Sequence, residues 1–104
     1  MDTTRLVGSE ALPILIFFTR ATSGPARRME SLLAHVARKQ RGRLRIRRVD
    51  ADRQGRLRRQ LQVEDVPSLV LVVDRRAVAR IDGRANLPQI EQLLESHLGE
   101  RVRA

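Results

Sequence analysis

Residues 13–26 read PILIFFTRATSGPA, and this stretch joins a buried strand to the start of a helix. The run 13–18 is apolar throughout and rich in β-branched and aromatic residues, which is typical of a strand buried on both faces. Thr22 or Ser23 can accept hydrogen bonds from the first free amides of a helix, and Pro25 suits a first helical turn because its nitrogen carries no proton. We therefore predict a strand that leads directly into a helix.

Apolar spacing predicts that this helix continues for about four turns. The stripe is formed by Met29, Leu32, Leu33, Val36 and Ala37. Basic residues and Gly42 follow, as is common at the C-terminal end of a helix. Residues 43–49 then alternate between apolar and basic side chains, a period of two that indicates a second strand.

The second half of the chain predicts a short helix, a hairpin and a last helix. Leu57 and Leu61 lie on the short helix, and the apolar runs 69–73 and 77–81 are separated by a polar turn typical of a hairpin. Asn86 with Gln89 three residues later forms a capping-box pattern at the start of the last helix. Its apolar stripe consists of Leu87, Ile90, Leu93, Leu94 and Leu98, and Gly99 ends it.

This order of elements predicts a three-layer α/β sandwich. A strand–helix–strand unit forms a parallel crossover and the hairpin adds antiparallel strands, so the sheet is mixed and four-stranded, with helices on both faces. The length of 104 residues fits one domain. We divide the chain into an N-terminal segment at 1–12, a domain at 13–98 and a C-terminal tail at 99–104.

The composition excludes several classes of chemistry. The sequence has no cysteine, which excludes disulfides, thiolate metal sites and thiol catalysis by this chain alone. It has two histidines and two aromatic residues, both phenylalanine, so we expect no metal, no cofactor and no base-stacking surface. The apolar run 12–18 is far shorter than the roughly 20 residues of a membrane span, and we expect a cytoplasmic protein without membrane contact.

The positive charge is concentrated in the stretch Arg38–Arg59. The chain carries 21 basic and 12 acidic residues, a net charge of +9. Eleven of the basic residues and two of the acidic ones lie in this stretch, so it accounts for the whole excess. The members that we assign to a basic surface are Arg43, Arg45, Arg47, Arg48, Arg56, Arg58 and Arg59. Such a surface fits either a solvated face produced by arginine-rich codon usage or a docking site for an acidic protein or nucleic acid.

Two short motifs in this order of elements resemble thioredoxin. Ser23-Gly24-Pro25-Ala26 lies at the first helix start, and Val66-Pro67-Ser68 precedes the third strand. The resemblance extends from Pro13 to Leu98 and places residues 22–26 at the position of the family's Trp-Cys-Gly-Pro-Cys. It implies the thioredoxin fold, a cis peptide bond before Pro67, and a glycine after the hairpin at Gly83.

The departures from the family pattern concern its redox chemistry. Ser23 and Ala26 stand where the family has its two cysteines. Phe17 and Arg48 stand where the family has a buried aspartate and its lysine partner, and Thr22 replaces the tryptophan. Nucleophile, resolving thiol and proton relay are therefore absent together, and the resemblance implies a redox-inactive protein rather than an enzyme.

Other catalytic arrangements are weakly supported. Ser23 at a helix start resembles thioredoxin-fold proteins that activate glutathione, but those enzymes carry a further helical domain that this chain has no room for. A serine–histidine pair fails on distance, because His35 lies about 18 Å from Ser23 along a helix axis. We expect His35 and His97 to be surface residues.

The N-terminal segment is the second departure. Thioredoxins begin with a further strand and helix, and residues 1–12 are too short to supply both. We therefore expect 43–49 to be an edge strand of a four-stranded core. Its arginines either protect the edge against unwanted pairing or form the docking site of a partner.

Two functions from different classes follow. The first is a protein-binding module of the bacterial cytoplasm, an assembly chaperone or a small subunit of a larger complex. Its partner-binding groove, by resemblance to the family, is formed by Thr22, Ser23, Pro25, Val66, Pro67, Asp82, Gly83 and Arg84. The second is a basic adaptor that binds nucleic acid or an acidic protein through Arg38–Arg59, with nucleic acid the weaker choice because no helix-turn-helix or zinc-finger motif is present.

Overall fold

The computed structural model of the protein describes residues 12–20 and 24–99. The elements within these ranges are β1 (Ile14–Thr19), α1 (Gly24–Lys39), β2 (Arg45–Asp50), α2 (Gly55–Gln60), β3 (Ser68–Val73), β4 (Arg76–Asp82) and α3 (Leu87–Leu98). The sheet order is β2-β1-β3-β4. β1 pairs parallel with β2 and antiparallel with β3, and β3 pairs antiparallel with β4. The mixed four-stranded sheet is confirmed, whereas residues 1–11 lie outside the described residues.

β1 lies in the middle of the core because both of its faces are covered. Its residues alternate between two clusters of buried side chains, and none of them is more than 3% exposed. Leu15 and Phe17 pack with residues of α1 and α3, on what we call the α1/α3 face. Ile14, Ile16 and Phe18 pack with Leu57, Leu61 and Val63, on what we call the α2 face. The continuous apolar run in the sequence reflects this double burial.

α1 covers one face of the sheet with a narrower stripe than the sequence predicted. Met29, Leu33 and Val36 are buried and Leu32 is half-buried. Ala37 is exposed, so its assignment to the stripe was wrong. At 3.6 residues per turn it lies about 80° from Met29 around the axis, beyond the contact with the sheet.

α3 begins and ends as the sequence predicted. The Asn86 side chain accepts a hydrogen bond from the Gln89 amide at 2.9 Å, and the Gln89 side chain accepts one from the Asn86 amide at 2.9 Å. Gly99 closes the helix with a φ of 55°. α3 is joined to α1 on the surface by an ion pair of 3.1 Å between Lys39 and Glu91.

β2 lies at an edge of the sheet. It begins at Arg45 rather than residue 43, because the amides of Arg43 and Leu44 donate to the Gln40 carbonyl in the turn after α1. Within the described residues its only strand neighbour is β1. The sequence prediction of an edge strand is confirmed for this part of the chain.

The β3–β4 hairpin turns at two residues with positive φ. Asp74 has a φ of 51° and Arg75 a φ of 68°, a combination suited to the twist of a two-residue hairpin loop. Pairing is irregular between Leu71 and Val72, where the register shifts by one residue of β4. The hairpin therefore lies at one end of the sheet, and the N-terminal end of β3 with the C-terminal end of β4 lies at the other.

Candidate functional site

The groove predicted from the sequence lies at the end of the sheet opposite the hairpin. Phe18 of β1 pairs with Ser68 of β3, and Ser68 pairs with Asp82 of β4. Ser68 is the first residue of β3 and Asp82 the last residue of β4, and β1 continues one residue beyond Phe18, to Thr19. The loop that leads from β1 to α1, the Val66-Pro67 segment and the segment after Asp82 therefore leave the sheet at the same end.

Two of these segments are joined by a hydrogen bond. The Gly83 amide donates to the Pro67 carbonyl at 2.8 Å. Gly83 has a φ of +87°, which glycine adopts at little cost and other residues do not. The Val66–Pro67 peptide bond is cis, as the family resemblance implied. Ser68, which is fully buried, donates its hydroxyl to the Asp65 carbonyl and fixes the loop from the other side.

The described members of the groove combine apolar and charged surface. Val66 and Pro67 are half-buried, and Val66 packs against the α2-face cluster. Asp82 and Arg84 are exposed. Gly24 begins α1 and Ala26 is 4% exposed in its first turn. Thr22, Ser23 and the side chain of Pro25 lie outside the described residues, so the α1 wall of the groove stays a prediction.

Phe17 occupies an apolar environment. It is 1% exposed and belongs to the cluster on the α1/α3 face. Arg48 is its register partner on β2, and the Arg48 Nε atom lies 2.9 Å from the Glu30 Oε1 atom. The side chains of this ion pair are 54% and 40% exposed. At this place in the core the molecule therefore has an aromatic side chain, with the neighbouring cation paired at the surface.

The two histidines lie apart from the groove residues in sequence and are exposed, His35 on α1 and His97 on α3. Across the described ranges, no group of three or more histidine, aspartate or glutamate side chains is placed to hold a metal ion. None of the helices in those ranges has the length and apolar character needed to span a membrane.

The predicted basic surface divides into structural and unpaired arginines. Arg58 donates from Nε to the Val63 carbonyl at 3.0 Å and from Nη2 to the Glu64 carbonyl at 2.8 Å, so it ties α2 to the following loop. Arg48 is paired with Glu30, and Arg43 is half-buried in a turn. The members that are exposed and form no ion pair among the described residues are Arg45, Arg47, Arg56 and Arg59.

Sequence reasoning missed the role of Arg80. Its guanidinium reaches from β4 across the α2 face and donates to the carbonyls of Leu61 and Gln62, the latter at 2.9 Å. An open cavity of about 530 Å³ lies beside it, between the C-terminal end of α2 and β4. The alternation of β4 places Arg80 on that face, but the sequence does not indicate that α2 ends within its reach.

Comparisons with known proteins agree with this architecture. The family model described as Thioredoxin matches residues 4–96. A thioredoxin-like protein of Synechocystis sp. is 28% identical over 83 residues, which cover 80% of this chain and 79% of that protein. Two solved structures are similar: the germline-specific thioredoxin Deadhead of Drosophila melanogaster and a mutant thioredoxin of Halobacterium salinarum. The alignment with Deadhead has a TM-score of 0.78 at 22% identity, and it covers 90% of this chain and 89% of the Deadhead chain. The alignment with the Halobacterium salinarum thioredoxin has a TM-score of 0.76 at 25% identity, and it covers 88% of this chain and 79% of that one.

Proposed function

The chain belongs to the thioredoxin family, and from that premise we propose that it is a redox-inactive member that holds an extended segment of another protein. In this role it acts as an assembly chaperone or as a small subunit of a larger complex. The binding site is the groove at the Pro67 end of the sheet.

The loss of redox activity is supported by chemistry. Thiol–disulfide exchange needs one thiolate to attack and a second thiol to resolve the mixed disulfide. The 104 residues contain no cysteine, and Ala26 has no functional atom at the position that resembles the resolving thiol. Phe17 supplies no carboxyl group at the position that resembles the family's proton relay. These features are consistent with the absence of thioredoxin redox activity.

One observation carries the binding proposal. The row Phe18–Ser68–Asp82 and the hydrogen bond from Gly83 to Pro67 hold the Pro67 and Gly83 segments together beside the C-terminal end of β1, in a chain that has no cysteine. An extended peptide can be held at such a place through its backbone, as in strand addition. The half-buried Val66 and Pro67 give it an apolar floor, and the exposed Asp82 and Arg84 give polar contacts at its side.

A titration followed by amide NMR spectra tests the proposal. The probe is an unfolded, cysteine-free polypeptide of neutral net charge, so that the positive charge of the chain does not by itself attract it. We expect the shifted amides to cluster at Val66, Ser68, Gly83 and Arg84.

Two valines provide a matched pair of variants. V66D places a charge on the groove floor, and V78D places the same charge on β4, where Val78 is 39% exposed. V66D should weaken binding at least fivefold and V78D by less than twofold. R84E, at an exposed position, serves as a second groove variant if V66D is unstable.

The result that contradicts the proposal is a set of shifted amides away from the groove, or equal effects of R84E and V78D. Insulin reduction and glutathione conjugation should stay at background in the same preparations. Insulin reduction above background would overturn the redox-inactive assignment independently of binding, and glutathione conjugation above background would show that the protein is an enzyme.

A further inference from the structure

We propose that the outer edge of β2 is a second docking site, which takes an extended acidic segment as an added strand. This inference goes beyond the groove proposed above and uses a different part of the sheet. It depends on three features of β2: backbone groups that no described strand pairs with, two arginines on one face without an ion pair among the described residues, and an apolar residue on the other face.

The backbone of β2 presents hydrogen-bonding groups outward. The Arg45 amide donates to the Pro13 carbonyl and the Ala51 amide donates to the Thr19 carbonyl, both at 2.9 Å. The amide and carbonyl groups of successive residues in a strand point to opposite edges. The odd-numbered residues of β2 therefore bond to β1. The amides and carbonyls of Ile46 and Arg48 therefore point away from β1, and within the described residues no strand pairs with them.

The side chains of β2 define the chemistry of the added strand. Arg45 and Arg47 are exposed and lie on the α2 face, with no ion pair among the described residues. Ile46 packs against the cluster on the opposite face. Arg48, on that same side, is already paired with Glu30. A complementary strand therefore has carboxylates at alternate positions facing Arg45 and Arg47, and an apolar residue between them beside Ile46.

The spacing of the charges fits a strand. Arg45 and Arg47 are two residues apart on an extended chain, so their Cα atoms are separated by about 6.6 Å. Carboxylates at alternate positions of a second strand have the same repeat. Each arginine then lies directly opposite one carboxylate of the added strand.

Two other occupants fit this edge less well, a second copy because of the arginines and single-stranded nucleic acid because no aromatic side chain is exposed among the described residues. A second copy of β2 would place arginines against arginines, and like charges directly opposite destabilise strand pairing. Single-stranded nucleic acid is held by aromatic side chains that stack on its bases. Here the two aromatic residues, Phe17 and Phe18, are 1% and 0% exposed. The positive charge of Arg45 and Arg47 therefore disfavours pairing with a second copy of β2 and favours pairing with an acidic strand.

Fluorescence anisotropy and amide hydrogen exchange test this proposal with synthetic peptides. The probe carries the pattern Glu-Val-Glu-Val-Glu. The comparison peptide is Glu-Glu-Glu-Val-Val, which has the same composition without the alternation. The alternating peptide should bind at least tenfold more tightly. We expect the Ile46 and Arg48 amides to exchange rapidly in the free protein and slowly in the complex, and the Arg47 amide, which bonds to β1, to exchange slowly in both states.

A pair of double variants separates local contacts from overall charge. R45E/R47E reverses the two arginines of the docking edge, and R75E/R76E makes the same charge change at the hairpin across the sheet. The first should weaken peptide binding at least tenfold and the second less than threefold. V66D, which tests the groove, should leave this binding unchanged.

Several results would overturn the proposal. They are equal losses in the two double variants, equal affinity for both peptides, unchanged exchange at Ile46 and Arg48, and protection of these amides in the free protein, which would mean that the edge is already occupied. Tighter binding of a 20-base-pair DNA duplex that displaces the peptide would assign the edge to nucleic acid instead.

Discussion

Replacing Phe17 by aspartate restores the residue type that the thioredoxin family has at this position, and we expect it to unfold or nearly unfold this protein at neutral pH. Phe17 is 1% exposed in the core. Removing a buried phenylalanine side chain costs about 3–5 kcal/mol. A carboxyl group in this apolar environment stays protonated, and holding a proton at pH 7 against an ordinary pKa of about 3.9 costs about 4 kcal/mol more. The sum of about 7–9 kcal/mol approaches the whole stability of about 5–15 kcal/mol that is usual for a domain.

The pH dependence separates the charge from the lost packing. Burial raises the pKa of the introduced carboxyl above its unfolded value, so the folded F17D variant binds more protons than its unfolded state between about pH 4 and the raised pKa. Its stability is therefore highest near pH 4 and falls as the pH rises. F17N has a side chain of the same size that does not titrate, and its stability should differ from that of F17D at pH 7 but not at pH 4.

Urea unfolding followed by far-ultraviolet circular dichroism measures both variants. A folded F17D variant whose midpoint at pH 7 equals that of a folded F17N variant would refute the reasoning, because it would mean that the carboxylate is charged in the folded state. The neighbouring Arg48 would then have left Glu30, from which its Nε atom is 2.9 Å distant, and paired with the new side chain.

Three smaller effects follow from the described contacts and are measured by the same unfolding assay. N86A removes the capping box of α3 and should cost about 1 kcal/mol, within the usual range of about 0.5–2 kcal/mol; an unchanged midpoint would show that the cap does not form. R48M breaks an ion pair with Glu30 that is about half exposed, so we expect a loss below about 1 kcal/mol, and a larger loss would mean that the pair is shielded from water. G83A forces a side chain into a φ of +87° and should cost about 1–2 kcal/mol although the space is open; no loss would mean that this turn relaxes.

The strands and long helices were predictable because each has a strong apolar period. The run 13–18 is buried on both faces and the capping box at Asn86 forms as the sequence indicates. Ala37 was misassigned because an alanine at the margin of a stripe is compatible with either environment. The beginning of β2 moved from 43 to 45 because a turn hydrogen bond to Gln40 competes with pairing, and no side-chain pattern reports such a bond.

The site was predictable only where the family resemblance supplied it. Val66-Pro67 and Gly83 are ordinary turn residues in composition, and their hydrogen bond joins positions 16 residues apart. The functions of individual arginines were not predictable, because Arg45, Arg48 and Arg58 have the same chemistry in the sequence. In the fold, Arg45 lies at the sheet edge with no ion pair to any described residue, Arg48 pairs with Glu30, and Arg58 donates to backbone carbonyls.

The residues that stand where the family has its redox residues are related through the energetics of the core. A buried carboxylate lowers stability wherever it lacks a partner, and an enzyme tolerates this cost where the group is needed for its chemistry. Without thiols the carboxylate has no such role, and Phe17 replaces it with apolar packing on the α1/α3 face. The loops at the Pro67 end are fixed differently, by strand register and by the bond from Gly83. None of these contacts involves sulfur or the side chain at position 17, so the proposed groove does not depend on the residues that stand where the family has its thiols and its carboxylate.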